Sequence, residues 1–358
     1  MTQPVQDHST SAAPPINKRR LTQGKIIAAA RRIGADRAVL TGLVVIFLAL
    51  PSVLKGSYLE VAVRVLLFAT LGVAWNIMGG FAGLFSFGHA AYFGLGAYVS
   101  AYLLVEHGIS PWIGMMLGAL LAAVYGIVTT WLVVRYKVRG AYFALATFAF
   151  AEMLHLISLN VKQIKGTEGL KVPLLSGDSL WMIQFSLNSP KYLYVMLFIF
   201  TLAMLVVIQM TRSRLGYRLR AMRDDSESAA AAGVDVRRYS LIAASISAAM
   251  TAVVGAFYVQ FLFFIDPTLA FDPQVSVQIL LPAIVGGVAT LWGPLVGAAI
   301  VVILGEYLGQ LINSPPAALS FLAGRSGLDL VIYGALLVII IMYAPRGVYG
   351  TVARWRKA

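Results

Sequence analysis

Cysteine is absent from the 358 residues, so the chain has no disulfide, no thiolate nucleophile and no iron–sulfur ligand. Charge is scarce too. Only 12% of residues are charged while 59% are hydrophobic, and the mean hydropathy is +0.81. A soluble core of this size needs a polar surface that so few charges cannot build, and the composition is that of a polytopic membrane protein. The net charge of +13 would suggest nucleic acid in a soluble protein. Here the basic residues sit at the ends of apolar runs, which membrane topology explains, and no nucleic-acid partner is expected.

Recognisable chemistry is missing as well. No G-x-x-x-x-G-K-[ST] loop occurs, and the one Gly-Lys pair, Gly24-Lys25, lacks the upstream glycine, so the chain does not hydrolyse nucleotide in the P-loop manner. His8, His89, His107 and His155 show no H-x-x-x-H spacing, and no carboxylate cluster offers a metal site. Ser86, in Phe85-Ser86-Phe87-Gly88-His89, lacks the G-x-S-x-G frame and a preceding strand. No catalytic residue, metal or cofactor is expected of this chain, which is read as a non-enzyme.

What is present is a series of apolar runs near 38–54, 58–78, 83–105, 111–134, 141–160, 192–210, 240–264, 275–291, 294–311 and 327–344. Each approaches the ~20 residues that cross a bilayer. The interval 275–311 is too long for one span and breaks at Trp292-Gly293-Pro294. The expected fold is therefore all-α with about ten transmembrane segments, some of them interrupted. With the N-terminus inside, the inner segments 1–37, 79–82, 135–139, 211–238, 292–293 and 345–358 hold 21 of the 28 Lys and Arg. That threefold bias places both termini and the 211–238 loop in the cytoplasm. Residues 1–37 form a basic tail, with an amphipathic helix expected on anionic membrane lipid over roughly 23–35. Residues 38–344 make the transmembrane domain and 345–358 a second cytoplasmic tail. The one long outer segment, 161–191, is rich in Gly, Ser and Pro and serves either as a docking or gating surface or as a plain connector.

The 211–238 loop is the longest charged interval. Asp224, Asp225 or Ser226 would cap a short helix through Ser228, Ala229 and the following alanines, ending at Gly233. Its small side chains suit a groove on a partner, while Arg223 and neighbouring arginines would meet carboxylates or lipid phosphates. Gly114, Gly118, Ala122 and Gly126 recur every four residues and form a close-packing stripe. Gly79-Gly80-Phe81-Ala82-Gly83-Leu84 resembles Gly286-Gly287-Val288-Ala289-Thr290-Leu291, a trace of internal repetition.

Ionisable groups within the spans are Glu60, Arg64, His89, Glu152, His155, Glu306 and Asp329. Such groups usually face a bundle interior or a watery path. Glu60 and Arg64, four apart, are expected to pair. Glu152 and His155 share a helix face, with Thr147 earlier on the same span, and serve either helix packing or a proton relay. The run GGFAGLFSFGHAAYFGLGAY has six glycines in twenty residues and is expected to be an interrupted helix. Its free N–H groups would face a substrate carboxylate, with Ser86 and His89 adding hydrogen bonds. Gly83, Ser86, Gly88, His89, Thr147, Glu152, Gly286 and Gly287 are the candidate path residues.

That glycine-rich run, together with RGAYFALATFAFAEMLHLISLN and GGVATLWGPLVGAA, resembles the LivM-type permease subunits of ABC importers for branched-chain amino acids, over roughly residues 60–345. The resemblance implies an ABC importer permease fold in the cell inner membrane. It also implies a LivH-type permease, two ATPase subunits that bind the ATP, and an external solute-binding protein as partners. Urea and short-amide permeases belong to the same family and are an alternative. A proton-coupled secondary transporter using Glu152 and His155 is the alternative from another class. The family's cytoplasmic E-A-A-x-x-x-G element, which docks on the ATPase, stands here as Glu227-Ser228-Ala229-Ala230-Ala231-Ala232-Gly233, with Ser228 in place of alanine. In the outer segment, Glu168 stands in a stretch where LivM-type chains read T-G-G-S-x-G-L.

Overall fold

The computed structural model describes residues 18–54, 56–174, 177–186, 189–313, 328–344 and 347–355. Residues 1–43 and 44–358 separate into two compact units. The helix α1 (Lys18–Val53) covers residues 23–35, where a surface helix is expected, and the first apolar run, and the boundary between the two units falls within it. The start of the basic tail, 1–17, lies outside the described residues, as do 345–346 and 356–358 of the second tail.

In the second unit the expected spans become α2 (Ser57–Asn76), α3 (His89–His107), α4 (Pro111–Arg135), α5 (Ala141–Asn160), α6 (Pro190–Arg212), α9 (Val236–Leu262), α11 (Pro273–Gly286), α12 (Gly293–Asn313) and α13 (Leu328–Tyr343). Between them lie α7 (Arg214–Asp224), α8 (Ser226–Ala231) and α10 (Pro267–Phe271), and α14 (Gly347–Trp355) follows α13. Among the described residues, eight helical segments are long and apolar enough to cross a membrane. Of the ten expected runs, α3 and α13 are not among those eight. The run expected over 83–105 is shortened because 82–88 is not helical and α3 starts only at His89.

Local chemistry sets several of these starts. Ser110-Pro111, Ser189-Pro190, Asp266-Pro267 and Asp272-Pro273 each open a helix, with the Ser or Asp oxygen accepting a backbone N–H of the first turn. Proline at the first helical position loses no hydrogen bond there, and its fixed φ suits the turn.

The core is built on α2, the most buried of the spans, which packs against α6, α9, α11 and α12. Beside it, α3, α4 and α9 form a tight trio. The stripe on α4 does what its spacing predicts. A Cβ at Gly114 would stand 2.7 Å from Ser100 Cα, one at Gly118 3.0 Å from Gly96 Cα, and one at Gly126 3.0 Å from Ala248 Cβ. Ala122 is fully buried with Ala91, Tyr92, Ala248 and Ala252. Backbones approach this closely only where side chains are small. The opposite faces of α4 and α5 expose Met116, Leu120, Val124, Leu145 and Leu156, as lipid-facing helices do.

The expected Glu60–Arg64 pair gives way to a longer-range one. Arg64 Nη1 lies 3.7 Å from Glu306 Oε2, so the guanidinium ties α2 to α12 rather than bracing its own helix. The outer segment is anchored as well. Its Leu170 and Lys171 form a two-residue antiparallel ribbon with Ile265 and Phe264 after α9, and Val172 N donates to Phe263 O at 2.9 Å. Trp112 Nε1 donates to Leu180 O at 2.9 Å and Ser110 Oγ to Trp181 O at 2.6 Å. Asp178 is held by Lys191 and Ser186, which lower its carboxyl pKa to about 2. Leu174 is 71% exposed. A cysteine there, the only one in the chain, is expected to react with an impermeant maleimide from the side opposite the 211–238 loop. Labelling from the same side as that loop would break the topology.

Candidate functional site

All the candidate residues but Glu152 gather at two connected places. The first is the 211–238 loop. Of the three possible caps, Asp225 is the one used. Its Oδ1 accepts from Glu227 N at 2.8 Å and Ser228 N at 3.1 Å, and its Oδ2 accepts from Ser228 Oγ at 2.8 Å. The serine that departs from the alanine of E-A-A-x-x-x-G therefore adds a capping bond. Hydrogen bonds from the Ser228 side chain, then from the backbone N–H of Ser228 and Glu227, hold the Asp225 carboxyl below its ordinary pKa of 3.8. A lowered carboxylate pKa contributes stability above pH 3.8 and loses it as pH falls through the folded value, so the cap is intact at neutral pH. At the other end Gly233 N donates to Ala230 O and Val234 N to Ala229 O, both at 3.0 Å, with Gly233 at φ +86. This paired 5→2 and 6→1 closure is the Schellman motif, whose left-handed residue favours glycine.

Within α8 only Ala229 is buried; Glu227, Ser228, Ala230 and Ala231 are exposed, as are Ala232 and Gly233 beyond its end. Glu227 Oε1 accepts from Arg139 Nη1 at 2.6 Å, linking the α4–α5 turn to this helix. Both side chains are largely exposed, so the pair orients the loop more than it stabilises the fold. Arg223 bonds Asp224 at 2.8 Å.

The second place is the pair of glycine breaks. The first follows α2 as a π-helical turn, Ile77–Phe81, and then irregular, non-helical chain to Gly88. Wide turns of this type often mark functional positions. The second follows α11. They meet through Asn76, which is 2% exposed, donates from Nδ2 to Thr290 O at 2.8 Å and accepts at Oδ1 from Ala289 N at 2.8 Å. A Cβ on Gly80 would stand 2.7 Å from Ala289 N. Gly83, at φ +73, lies against α7, where its Cβ would be 3.0 Å from Arg223 Cα. Gly286 and Gly287 turn the chain from α11 into α12 and pack against Gly293 and Gly347. The segments 79–82, 135–139 and 211–238 thus converge with the second break at one end of the bundle; that break runs over 287–292 rather than the expected 292–293, because α11 already ends at Gly286.

From Gly83 the chain leads to Ser86 and His89, both fully buried. Ser86 Oγ accepts from Gly88 N at 3.1 Å, Thr147 Oγ1 from Phe87 N at 3.1 Å, and Ser276 Oγ from Ala90 N at 2.8 Å. His89 Nε2 and Ser247 Oγ are 2.8 Å apart, and Ser247 Oγ donates to Ala74 O at 2.7 Å. His89 Nδ1 is buried without a partner. The N–H groups expected to face a substrate are thus held by protein side chains in this conformation.

Ser86, Gly88, His89 and Thr147 therefore form one cluster, but Glu152 stands apart. It is five residues beyond Thr147, ~140° round the helix. Its Oε2 lies 3.4 Å from His155 Nδ1 with a third of its side chain exposed. Sequence reasoning passed over Asn76, Ser247 and Ser276. Asn76 is a lone polar residue in an apolar run, Ser247 and Ser276 sit among other small or amide side chains (Ser245, Gln274, Gln278), and none has a motif around it.

Known proteins place this arrangement. The family model described as branched-chain amino acid transport system / permease component matches residues 57–341. The permease protein LivM of Escherichia coli (strain K12), from a high-affinity branched-chain amino acid transport system, is 24% identical over 333 residues, covering 87% of this chain and 74% of LivM. The corresponding LivH of Salmonella typhimurium is 24% identical over 301 residues, covering 79% and 91%. A probable LivH of Methanocaldococcus jannaschii is 26% identical over 288 residues, covering 76% and 84%. No solved structure matches the chain significantly. A match over residues 57–341 takes in both glycine breaks and the α7–α8 loop between them, and the chain belongs to the family of permease components of branched-chain amino acid ABC transport systems.

Proposed function

We propose that this chain is one permease subunit of an ATP-driven importer for branched-chain or related amino acids, with α8 docking on an ATPase subunit. A LivH-type permease, two ATPase subunits and an external solute-binding protein complete the transporter, and both termini are cytoplasmic. The observation that carries this is the unbroken line of contact from α8 through Asp225 and Arg223 to Gly83, and from the same break through Asn76 to Ala289 and Thr290. Closure of the ATPase dimer would push α8 and α7 together and move Gly83. The displacement then passes to two spans at once, through the Asn76 link on one side and the 84–88 chain to α3 on the other. Separation of Phe87 and Gly88 from Thr147 and Ser86 would free their N–H groups for a carboxylate arriving along the path, with His89 beside them. Gly286 and Gly287 flex with the second break, and Glu152 belongs to the outer part of the route.

The test is uptake in proteoliposomes. Transport should require the co-reconstituted ATPase subunits and stop when their Walker lysine is replaced. Uptake by this chain alone under a pH gradient would overturn the proposal in favour of a proton-coupled carrier using Glu152 and His155. For the path itself, His89→Ala is expected to lower the uptake rate at least tenfold, whereas Glu60→Ala leaves it near wild type; the reverse order would contradict a path at His89.

A further inference from the structure

An open cavity of about 610 Å³ lies between α4 and α9, lined by Ile127, Asp235, Arg237, Arg238, Leu241, Ile242 and Ser245. Its mouth carries Arg237, Arg238 and Asp235, its walls are Ile127, Leu241 and Ile242, and the Ser245 hydroxyl at the far end donates to Ile242 O at 2.9 Å. Arg237 and Arg238 open α9, and Ser245 lies seven residues further in, so the cavity runs ~10 Å from the charged rim into the spans at 1.5 Å per helical residue. The carboxylate at the rim, Asp235, is committed to capping α9, where its Oδ1 accepts from Arg238 N at 2.9 Å. Beside the rim, the Arg237 guanidinium lies 5.5 Å and the Arg135 guanidinium 5.1 Å from the Trp131 ring centroid. Tryptophan favours the headgroup level of a bilayer, and guanidinium favours phosphate.

We infer that this cavity is a binding site for an acidic phospholipid. Arg237 and Arg238 take the phosphate, and the acyl chain enters along Ile127, Leu241 and Ile242. Charge complementarity selects this occupant, since a cationic rim over apolar walls within membrane-spanning helices matches a phosphate joined to hydrocarbon. Its lining begins at Asp235, two residues beyond Gly233, so an occupied cavity would fix the membrane-side end of the α8 loop.

The experiment uses the assembled transporter purified from membranes containing phosphatidylglycerol, with bound lipid counted by native mass spectrometry. The wild type should retain phosphatidylglycerol, and R237Q/R238Q should retain at least tenfold less, as expected for two basic side chains at a membrane surface. R237K/R238K should keep much of it, and Ser245→Trp, which fills the cavity but spares both arginines, should lose it. Equal retention by wild type, R237Q/R238Q and Ser245→Trp would overturn the site. So would a cross-link from Ile242→Cys to the partner permease, because protein would then cover the cavity. Lipid retention is read without ATP or uptake, so it stands or falls separately from the coupling role of α8.

Discussion

Asn76→Leu is expected to abolish ATP-driven uptake while leaving the protein in the membrane and the ATPase subunits bound. The two side chains are of similar size, so the cavity term is small. What is lost is polarity. Ala289 N and Thr290 O would lose their partner inside the protein, at about 1–3 kcal/mol for each buried group left unpaired. That cost falls on the junction of the two breaks rather than on α2 as a whole, which remains packed on α6, α9 and α12. Asn76→Asp is the informative companion. It keeps an acceptor for Ala289 N but replaces the donor to Thr290 O, so it should retain part of the uptake. ATPase activity that still responds to substrate in Asn76→Leu would show that the signal travels by another route.

Glu227→Lys combined with Gly233→Trp is expected to stop transport by disconnecting the ATPase. A Cβ at Gly233 would meet nothing within 4 Å, and the residue itself is exposed, so the new side chain starts in open space. Strain at φ +86 costs about 1–2 kcal/mol, local to the loop. On the proposed docking, a partner groove shaped for alanines would not admit the ring. Glu227→Lys also turns its attraction to Arg139 into repulsion. Gly233→Asn, which tolerates the left-handed conformation, is the control and should keep most of the activity. Failure of the double variant to reach the membrane would point to folding. Normal insertion with loss of co-purifying ATPase supports docking.

The parts of this fold legible in the sequence are those set by composition and local chemistry. Apolar runs located ten helices because bilayer thickness dictates their length. The α4 stripe followed from fourfold spacing, and the interruption at 79–88 from glycine density. The Asp225-to-Gly233 helix followed from capping chemistry, though only the geometry chose among Asp224, Asp225 and Ser226. Long-range pairing was not legible. Arg64 finds Glu306, 242 positions away, in preference to the carboxylate one turn before it. Asn76 serves residues more than 200 positions distant, and a single asparagine in an apolar helix carries no sign of its partner. The likeness of GGFAGL to GGVATL suggested repetition, but contact between the two copies depends on the packing of α2 against α11 and α12. Thr147 and Glu152 lie on one span, but five positions on an α-helix set them ~140° apart, so only Thr147 reaches the His89 cluster.

The central claim is that α8 is where the ATPase meets this chain, and the lack of native cysteine makes it directly testable. Ala230 is exposed on α8 and Leu174 is exposed on the outer segment. In the assembled transporter, with one cysteine introduced at a time, Ala230→Cys is predicted to cross-link to an ATPase subunit and Leu174→Cys is not. A cross-link from position 174, with none from position 230, would contradict the account.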